Sequence, residues 1–343
     1  MAQSMLGPNP AEQINFAKET LVSAYRHMLV ARVLDDKLAS LYRAGKIHGG
    51  VFLGRGQEAL SAAVGISLNR GDIFAPLIRD AAGRLAFGEA LLDSVRTYLG
   101  SRLGPMRGRD GNIHRGRPRD GLLPMISHLG AMISVVNGVL IAHRFKGVQG
   151  RVGAACMGDG ASSTGSFHEA INQAAVERLP LVLVVANNQY AYSTPNCRQF
   201  ACDTLVEKAA GYGAQGHSVD GTDLIACLNV VSRAIRLARE GGGPQFVVAS
   251  LLRLCGHGEH DDATYVDAGM KASEGGRDCL KVAEAQLTSN GIASLSLLDQ
   301  WRAAAVDSVE QAVARVQREP APDAREEDWR AISASHLCEG QLP

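Results

Sequence analysis

The sequence carries no surplus of either charge: Lys+Arg and Asp+Glu number 35 each among 343 residues, for a formal net charge of zero. That balance argues against nucleic acid or an anionic membrane as the main partner, since both ask for a basic face. Aromatic residues are scarce, at 5%. None interrupts the basic run of residues 102–119, so the stacking platform that single-stranded RNA would need is missing there. The seven cysteines include no CxxC pair and are odd in number, which excludes a simple disulfide or zinc framework. Reduced thiols in a cytosol are the expectation. No run reaches the ~18 apolar residues of a membrane span. The opening MAQSMLGPNPAEQ has neither an apolar leader core nor an Arg-rich amphipathic pattern. A soluble, cytoplasmic protein is expected.

Glycine, by contrast, is plentiful at 38 residues, many beside short apolar runs where backbone can approach a ligand closely. Residues 1–13 read as an arm, residues 14–317 as one α/β domain with helical additions, and residues 318–343 as a polar tail. Helical spacing of apolar residues runs over 14–42, 56–68, 82–99 and 129–145. Between the last two, SRLGPMRGRDGNIHRGRPRDG breaks every periodicity and reads as a functional loop. In 129–145 the small residues Gly130, Ser134, Gly138 and Ala142 recur every four positions, a face that lets another helix come close. Strand and helix then alternate. RVGAACMG (151–158) is a strand, SSTGSFHEAINQAAVE a helix with an apolar stripe, and PLVLVVA (180–186) a strand buried on both faces. Helices near 199–213, 222–240, 277–290 and 295–317 and strands near 214–219 and 245–252 complete a doubly wound, mostly parallel sheet flanked by helices.

In such a sheet, ligands sit beyond the carboxyl ends of the strands. Gly158-Asp159-Gly160 and Asn187-Asn188-Gln189-Tyr190 follow two successive strands, so they can share a crevice. Mg²⁺ takes hard oxygen ligands and completes its shell with phosphate oxygens and water. Asp159 offers a carboxylate, Asn188 an amide oxygen, and a backbone carbonyl beyond the strand a third ligand. Gly160 leaves its N–H open at a helix entrance, a seat for phosphate. Ser162 and Ser163 are candidate caps of that helix. Arg79 stands beside Asp80, and a surface ion pair between them is the plain alternative to a role in binding. His257-x-x-His260-Asp261-Asp262 lies in a polar loop with no helix to present both imidazoles to zinc. His114, in the Gly/Arg loop, is either a substrate contact or a solvated histidine.

Gly158–Gly160, twenty-six residues, then Asn187-Asn188 resembles the thiamine diphosphate motif of transketolase-like enzymes. The fuller text GDGASSTGSFHEAINQAA…LPLVLVVANNQYAYSTP, with GRGQEAL, GDIFAPLIRD, GRDGNIHRG, GYGAQGHSVDGTD and LRLCGHGEHDDATY in order, resembles the alpha subunit of the decarboxylase component of 2-oxo acid dehydrogenase complexes. The resemblance covers about residues 40–320 and implies a thiamine diphosphate-binding fold, the diphosphate-binding half. It implies that Asp159, Asn188 and the Tyr190 carbonyl bind Mg²⁺, that Gly158, Gly160 and Ala161 lie along the diphosphate, and that Arg79 neutralises a phosphate. It also implies that Ser127 and Leu129 hold the aminopyrimidine ring and that His257 assists acyl transfer to a lipoyl arm. The implied assembly is an α₂β₂ heterotetramer with a beta subunit, docked on a lipoyl-bearing acyltransferase core and acting on a small 2-oxo acid. This chain alone is expected to be nearly inactive.

Four departures stand out. Ile78 replaces an aromatic that contacts the cofactor in relatives, and Ala186 an arginine directed at the diphosphate in branched-chain enzymes. Gly258 replaces a phosphorylatable serine, and ISHLGAMIS (126–134) lacks the threonine and glutamine of a potassium site. None removes a metal ligand. Pyruvate, branched-chain 2-oxo acids and acetoin all remain open as substrates. A Rossmann oxidoreductase would want GxGxxG, which GDGASSTG does not supply. A non-catalytic subunit that keeps the site only as structure is the other rival.

Overall fold

The structure, a computed structural model, describes residues 16–111 and 114–326. The arm of residues 1–13 lies outside the described residues, as does the tail beyond residue 326. Along the chain run α1 (Lys18–Arg43), α2 (Glu58–Ser67), β1 (Ile73–Ala75), α3 (Ala81–Phe87), α4 (Leu91–Tyr98), α5 (Ala131–Phe145), β2 (Gly153–Gly158), α6 (Gly165–Val176) and β3 (Leu181–Asn187). The short strands β4 (Tyr190–Ala191) and β5 (Thr194–Pro195) follow, then α7 (Lys208–Tyr212), β6 (Gln215–Asp220), α8 (Leu224–Arg239), β7 (Gln245–Ser250), α9 (Ala268–Lys271), α10 (Cys279–Ser289) and α11 (Leu295–Val316).

The main sheet has five strands in the order β1-β2-β3-β7-β6, all parallel, and β4 and β5 form a separate antiparallel hairpin. All seven residues of β3 are buried, as its unbroken apolar text predicts. Their side chains alternate between two layers: Val182, Val184 and Ala186 join one core, Leu181, Leu183 and Val185 the other. Right-handed crossovers decide which helix belongs to which layer. The steps β1 to β2 to β3 to β6 all advance in one direction, so α5, α6 and α7 lie together in the second layer. The step from β6 back to β7 reverses, which sends α8 to the opposite layer with α1, α2 and α10. A third cluster joins α1, α4 and α11.

Three expectations are corrected. Residues 82–99 form two helices, because Gly88 takes a left-handed φ of 111° and ends α3. Residues 199–213 are helical only in the short turn Leu205–Glu207 and in α7; a polar loop carries the rest. The cap of α6 is Thr164, whose side chain accepts from the Phe167 N–H, while Ser162 and Ser163 lie in the preceding 3-10 turn. On α5 the small-residue face leaves Ser134, Gly138 and Ala142 exposed, so no described helix of this chain uses it for close approach.

Candidate active site

The pairing of β2 with β3 puts Gly158 opposite Ala186. Asp159 and the Asn187-Asn188 pair therefore leave the sheet side by side. Asp159 is 1% exposed, and its Oδ2 accepts one bond, from Gln199 Nε2 at 3.1 Å. Burial raises its pKa to about 6, against a smaller opposing effect of the Gln199 bond. The donors that oppose burial, Gln199 and the backbone N–H groups of Asp159 and Gly160, are neutral, and Arg253 acts only from a distance, so the carboxylate has no cation in contact with it. Asn188 is buried at the end of β3, with its Oδ1 3.4 Å from the Tyr190 N–H.

The hairpin β4–β5 folds back over Gly160. Left-handed φ values at Gln189 (72°) and Tyr192 (56°) make that reversal possible. A Cβ on Gly160 would meet the Ala191 Cβ at 2.5 Å, so only glycine allows the hairpin to come this near. Gln199 Nε2 also donates to the Thr194 carbonyl at 3.0 Å, which ties the hairpin to Asp159.

On its other side the hairpin meets His257. The Tyr192 ring lies edge-on to the imidazole at 4.7 Å between centroids, and the Tyr192 carbonyl accepts from Arg253 Nη2 at 2.9 Å. Arg253 Nη1 lies 3.1 Å from His257 Nδ1, and Arg79 Nη2 3.4 Å from the same atom. Guanidinium groups only donate, so Nδ1 is the acceptor and the ring proton sits on Nε2. Burial lowers the His257 pKa to about 4, with Arg79 and Arg253 adding to the effect. The imidazole is neutral at pH 7.

Arg79 is 4% exposed and is no surface ion pair. Its guanidinium donates to the carbonyls of Leu53 (2.7 Å) and His257 (2.5 Å), and the neighbouring Asp80 instead accepts from the Leu77 N–H. Burial brings its pKa down to about 10, and Arg253 pushes the same way. Two guanidiniums beside one neutral imidazole make a cationic wall suited to an anion. Ala186 packs into the helical layer with Val182 and Val184, so the positive charge on this wall comes from Arg79 and Arg253. A Cβ on Gly258 would meet the His260 ring at 2.7 Å.

The loop carrying Ser127 and Leu129 joins the same region through α6. The Leu129 carbonyl accepts from Ser166 Oγ at 2.7 Å and lies 3.4 Å from Thr164 Oγ1. His114 bridges Asp110 and Ser127, with Nδ1 2.5 Å from Asp110 Oδ2 and Nε2 2.9 Å from Ser127 Oγ. The β4–β5 hairpin thus links Asp159 and Gly160 on one side with His257, Arg253 and Arg79 on the other, while Asn188 and Tyr190 lead into it from β3. Ser127 and Leu129 sit on a loop fastened to α6, and Ala161 lies buried in the turn after Asp159. Sequence reasoning missed Arg253, Tyr265, Asp261 and Gln199. Tyr265 donates to Asp261 at 2.6 Å, and Asp261 accepts the His257 N–H at 2.5 Å, which fixes the histidine loop. The one signal available was that Arg253, Asp261 and Tyr265 fall within the quoted segment LRLCGHGEHDDATY; Gln199 lies four residues beyond the nearest quoted segment, with no signal of its own.

A parallel α/β sheet with a buried carboxylate, an asparagine amide and an opposing cationic wall beyond its strand ends defines a class: proteins that hold a phosphorylated cofactor through a cation. A family model described as "Dehydrogenase E1 component" matches residues 25–325. The chain belongs to that family and is an oxidoreductase chain of the E1 alpha type, the group that uses thiamine diphosphate. It is 35% identical over 306 residues to the alpha subunit of acetoin:2,6-dichlorophenolindophenol oxidoreductase of Cupriavidus necator, covering 89% of this chain and 92% of that one. Against the alpha subunit of the pyruvate dehydrogenase E1 component of Rhizobium meliloti it is 31% identical over 312 residues, covering 91% and 89%. Against the 2-oxoisovalerate dehydrogenase alpha subunit of Bacillus subtilis it is 30% identical over 316 residues, covering 90% and 94%.

Proposed function

We propose that this chain holds thiamine diphosphate through Mg²⁺ and, with a beta subunit in an α₂β₂ cytoplasmic assembly, decarboxylates a 2-oxo acid and passes the acyl group to a lipoyl arm of an acyltransferase core. The observation that carries this reading is the register of β2 and β3, which delivers Asp159 and Asn188 together at the strand ends. The donor set fits the metal: a buried, under-partnered carboxylate, an amide oxygen and the Tyr190 carbonyl are all hard oxygens. The glycine at 158 fits the diphosphate, because a Cβ there would meet nothing within 4 Å, whereas Gly160 is the seat of the Ala191 hairpin and would offer only its backbone N–H.

When bound, thiamine diphosphate supplies the nucleophilic carbon and the electron sink that let CO₂ leave. The chain supplies binding and electrostatics. Asp159, Asn188 and Tyr190 would ligate Mg²⁺, and Arg79 with Arg253 would offset the remaining phosphate charge. His257 presents Nε2–H to the crevice as a neutral donor, held by Arg253 on Nδ1 and by Asp261 on its backbone. Ser127 and Leu129 would position the aminopyrimidine, with His114 behind the Ser127 hydroxyl.

The three relatives differ in substrate, so acetoin oxidation is the second reading, supported by the similarity to the Cupriavidus chain. The test is co-expression with a beta subunit, native mass spectrometry, and turnover of pyruvate, 2-oxoisovalerate and acetoin. Two copies of each chain with bound thiamine diphosphate and turnover of one substrate is the expected result. A homodimer or monomer that retains no cofactor would sink the proposal, and cofactor retention without turnover of any substrate would favour the non-catalytic rival.

A further inference from the structure

Gln199 lies just after the 3-10 turn Asn196–Arg198 that follows β5. Its Nε2 group faces three acceptors: Asp159 Oδ2 at 3.1 Å, the Thr194 carbonyl at 3.0 Å and Asn196 Oδ1 at 3.3 Å. Asn196 in turn donates from Nδ2 to Asn187 Oδ1 at 2.7 Å and to Gln189 Oε1 at 3.1 Å. A line of neutral amides, Asn187 to Asn196 to Gln199, therefore runs from the end of β3 across the hairpin to the carboxylate at the end of β2. None of these amides neutralises Asp159. Each fixes an orientation.

The other end of the Gln199 amide is unmatched. Its Oε1 is buried and has no hydrogen-bond partner among the described residues, and it lies 3.5 Å from where a Gly160 Cβ would be. A buried acceptor without a donor carries a desolvation penalty that a donor arriving with a ligand would remove. The acceptor faces the strip of backbone assigned above to the diphosphate. The donor of matching chemistry there is water in a Mg²⁺ shell, because Mg²⁺ dehydrates reluctantly and keeps several waters.

We infer that Gln199 is the positioning residue of the metal centre: Nε2 fixes the rotation of the Asp159 carboxylate, and Oε1 accepts from a metal-bound water. The inference rests on the reading of Asp159 as a ligand. Outer-shell partners of this kind orient ligands and change metal affinity roughly 10–100-fold when removed. Mg²⁺ demands near-octahedral geometry, whereas Ca²⁺ accepts flexible arrangements. A loosened Asp159 should therefore handicap Mg²⁺ more than Ca²⁺.

The experiment is equilibrium dialysis of thiamine diphosphate against the α₂β₂ assembly while Mg²⁺ or Ca²⁺ is titrated, for the unaltered protein, Gln199→Ala and Asp159→Ala. Gln199→Ala is expected to raise half-saturating Mg²⁺ by roughly 10–100-fold and to change the Ca²⁺ value much less. Gln199→Met, which keeps the volume, carries the same expectation should the alanine variant not assemble. An equal rise for both ions means that Gln199 only braces the hairpin, and overturns the inference. A loss of metal dependence in Asp159→Ala with none in either Gln199 variant also overturns it while leaving the metal reading intact. Unchanged metal dependence in Asp159→Ala would instead remove the ligand assignment on which it stands.

Discussion

Two buried aspartates lie at opposite ends of the same sheet. Asp72, just before β1, is fully buried. It accepts from the Asn69 and Val152 N–H groups at 2.8 and 3.0 Å and from Arg239 at 2.9 and 2.7 Å. Asp159, just after β2, is equally buried, yet Gln199 gives it one neutral donor and no cation faces it within ion-pair distance among the described residues. The same contrast holds for arginine. Arg84 and Arg115 both grip Glu89, and although burial pushes that carboxyl up, Arg115 and Arg84 hold it down at about 2. Arg79 is as buried as Arg84 and has only carbonyls and an imidazole. These framework charges, Asp72 and the Glu89 cluster, are matched inside the chain. Charges in the crevice are left to be matched by a ligand, and that difference separates function from scaffold more sharply than burial does.

Substituting the two aspartates gives the largest contrast. Asp159→Ala is expected to abolish Mg²⁺-dependent retention of thiamine diphosphate, at least a 100-fold loss, because outer contacts cannot replace a ligand. The apo assembly should not be weakened by it near pH 7. A folded pKa raised to about 6 from the ordinary 3.8 means that the stability contributed by this group is complete below pH 4 and lost as pH rises through 6. Asp72→Asn is expected to do the reverse. Breaking a buried pair costs about 3 kcal/mol, so the melting midpoint should fall while half-saturating Mg²⁺ stays put. Thermal melts and dialysis on both variants check the pair, and a metal phenotype in Asp72→Asn would erase the distinction.

The arginines give the next effect. Arg79→Met removes a donor to the anion, a charged hydrogen bond of about 1.5–3 kcal/mol, so thiamine diphosphate affinity should fall roughly 10–100-fold. Stability should change little, because relief of an unmatched buried charge offsets the two lost carbonyl bonds. Arg84→Met should lower the melting midpoint and leave cofactor affinity unchanged. Calorimetric titration with thiamine diphosphate at saturating Mg²⁺ separates them, and equal affinities in Arg79→Met and the unaltered chain would contradict the cationic wall.

Much of this contrast was legible in the residues. PLVLVVA can only be a strand covered on both faces, and the apolar stripe of α6 follows from its spacing, so the two strand ends and their Asp159 and Asn188 follow with them. Gly88 was opaque because a glycine within helical spacing reads equally as interior or cap, and only its φ decides. Arg79 was named from the residues with an Asp80 ion pair as its plain alternative, and tertiary packing removes that alternative by sending the two side chains to different partners. Gln199, Arg253 and Tyr265 lie in loops without periodicity. Their roles come from closure of the hairpin onto β2 and of the 251–265 loop onto the hairpin, contacts between residues 12 to 61 positions apart that no local pattern encodes.

The smallest expected effect concerns pH and tests the state of His257. Its folded pKa of about 4, against the ordinary 6.5, follows first from burial and then from Arg79 and Arg253. A histidine lowered in this way contributes stability that is fully present above pH 6.5 and lost as pH falls through 4. Melting midpoints of the apo assembly between pH 7 and 4.5 should therefore drop less in His257→Gln than in the unaltered protein. The same geometry sets the expectation for the proposed acyl transfer. With Nδ1 accepting from Arg253 and Phe52 and Tyr192 edge-on to the ring at 5.5 and 4.7 Å, the imidazole stays neutral from about pH 5 upward. His257→Gln should lower the rate of lipoyl acylation without moving the acid limb of its pH profile. An acid limb near pH 6 that disappears in His257→Gln would mean that the imidazole titrates in the working range, and that the two arginines do not hold it neutral.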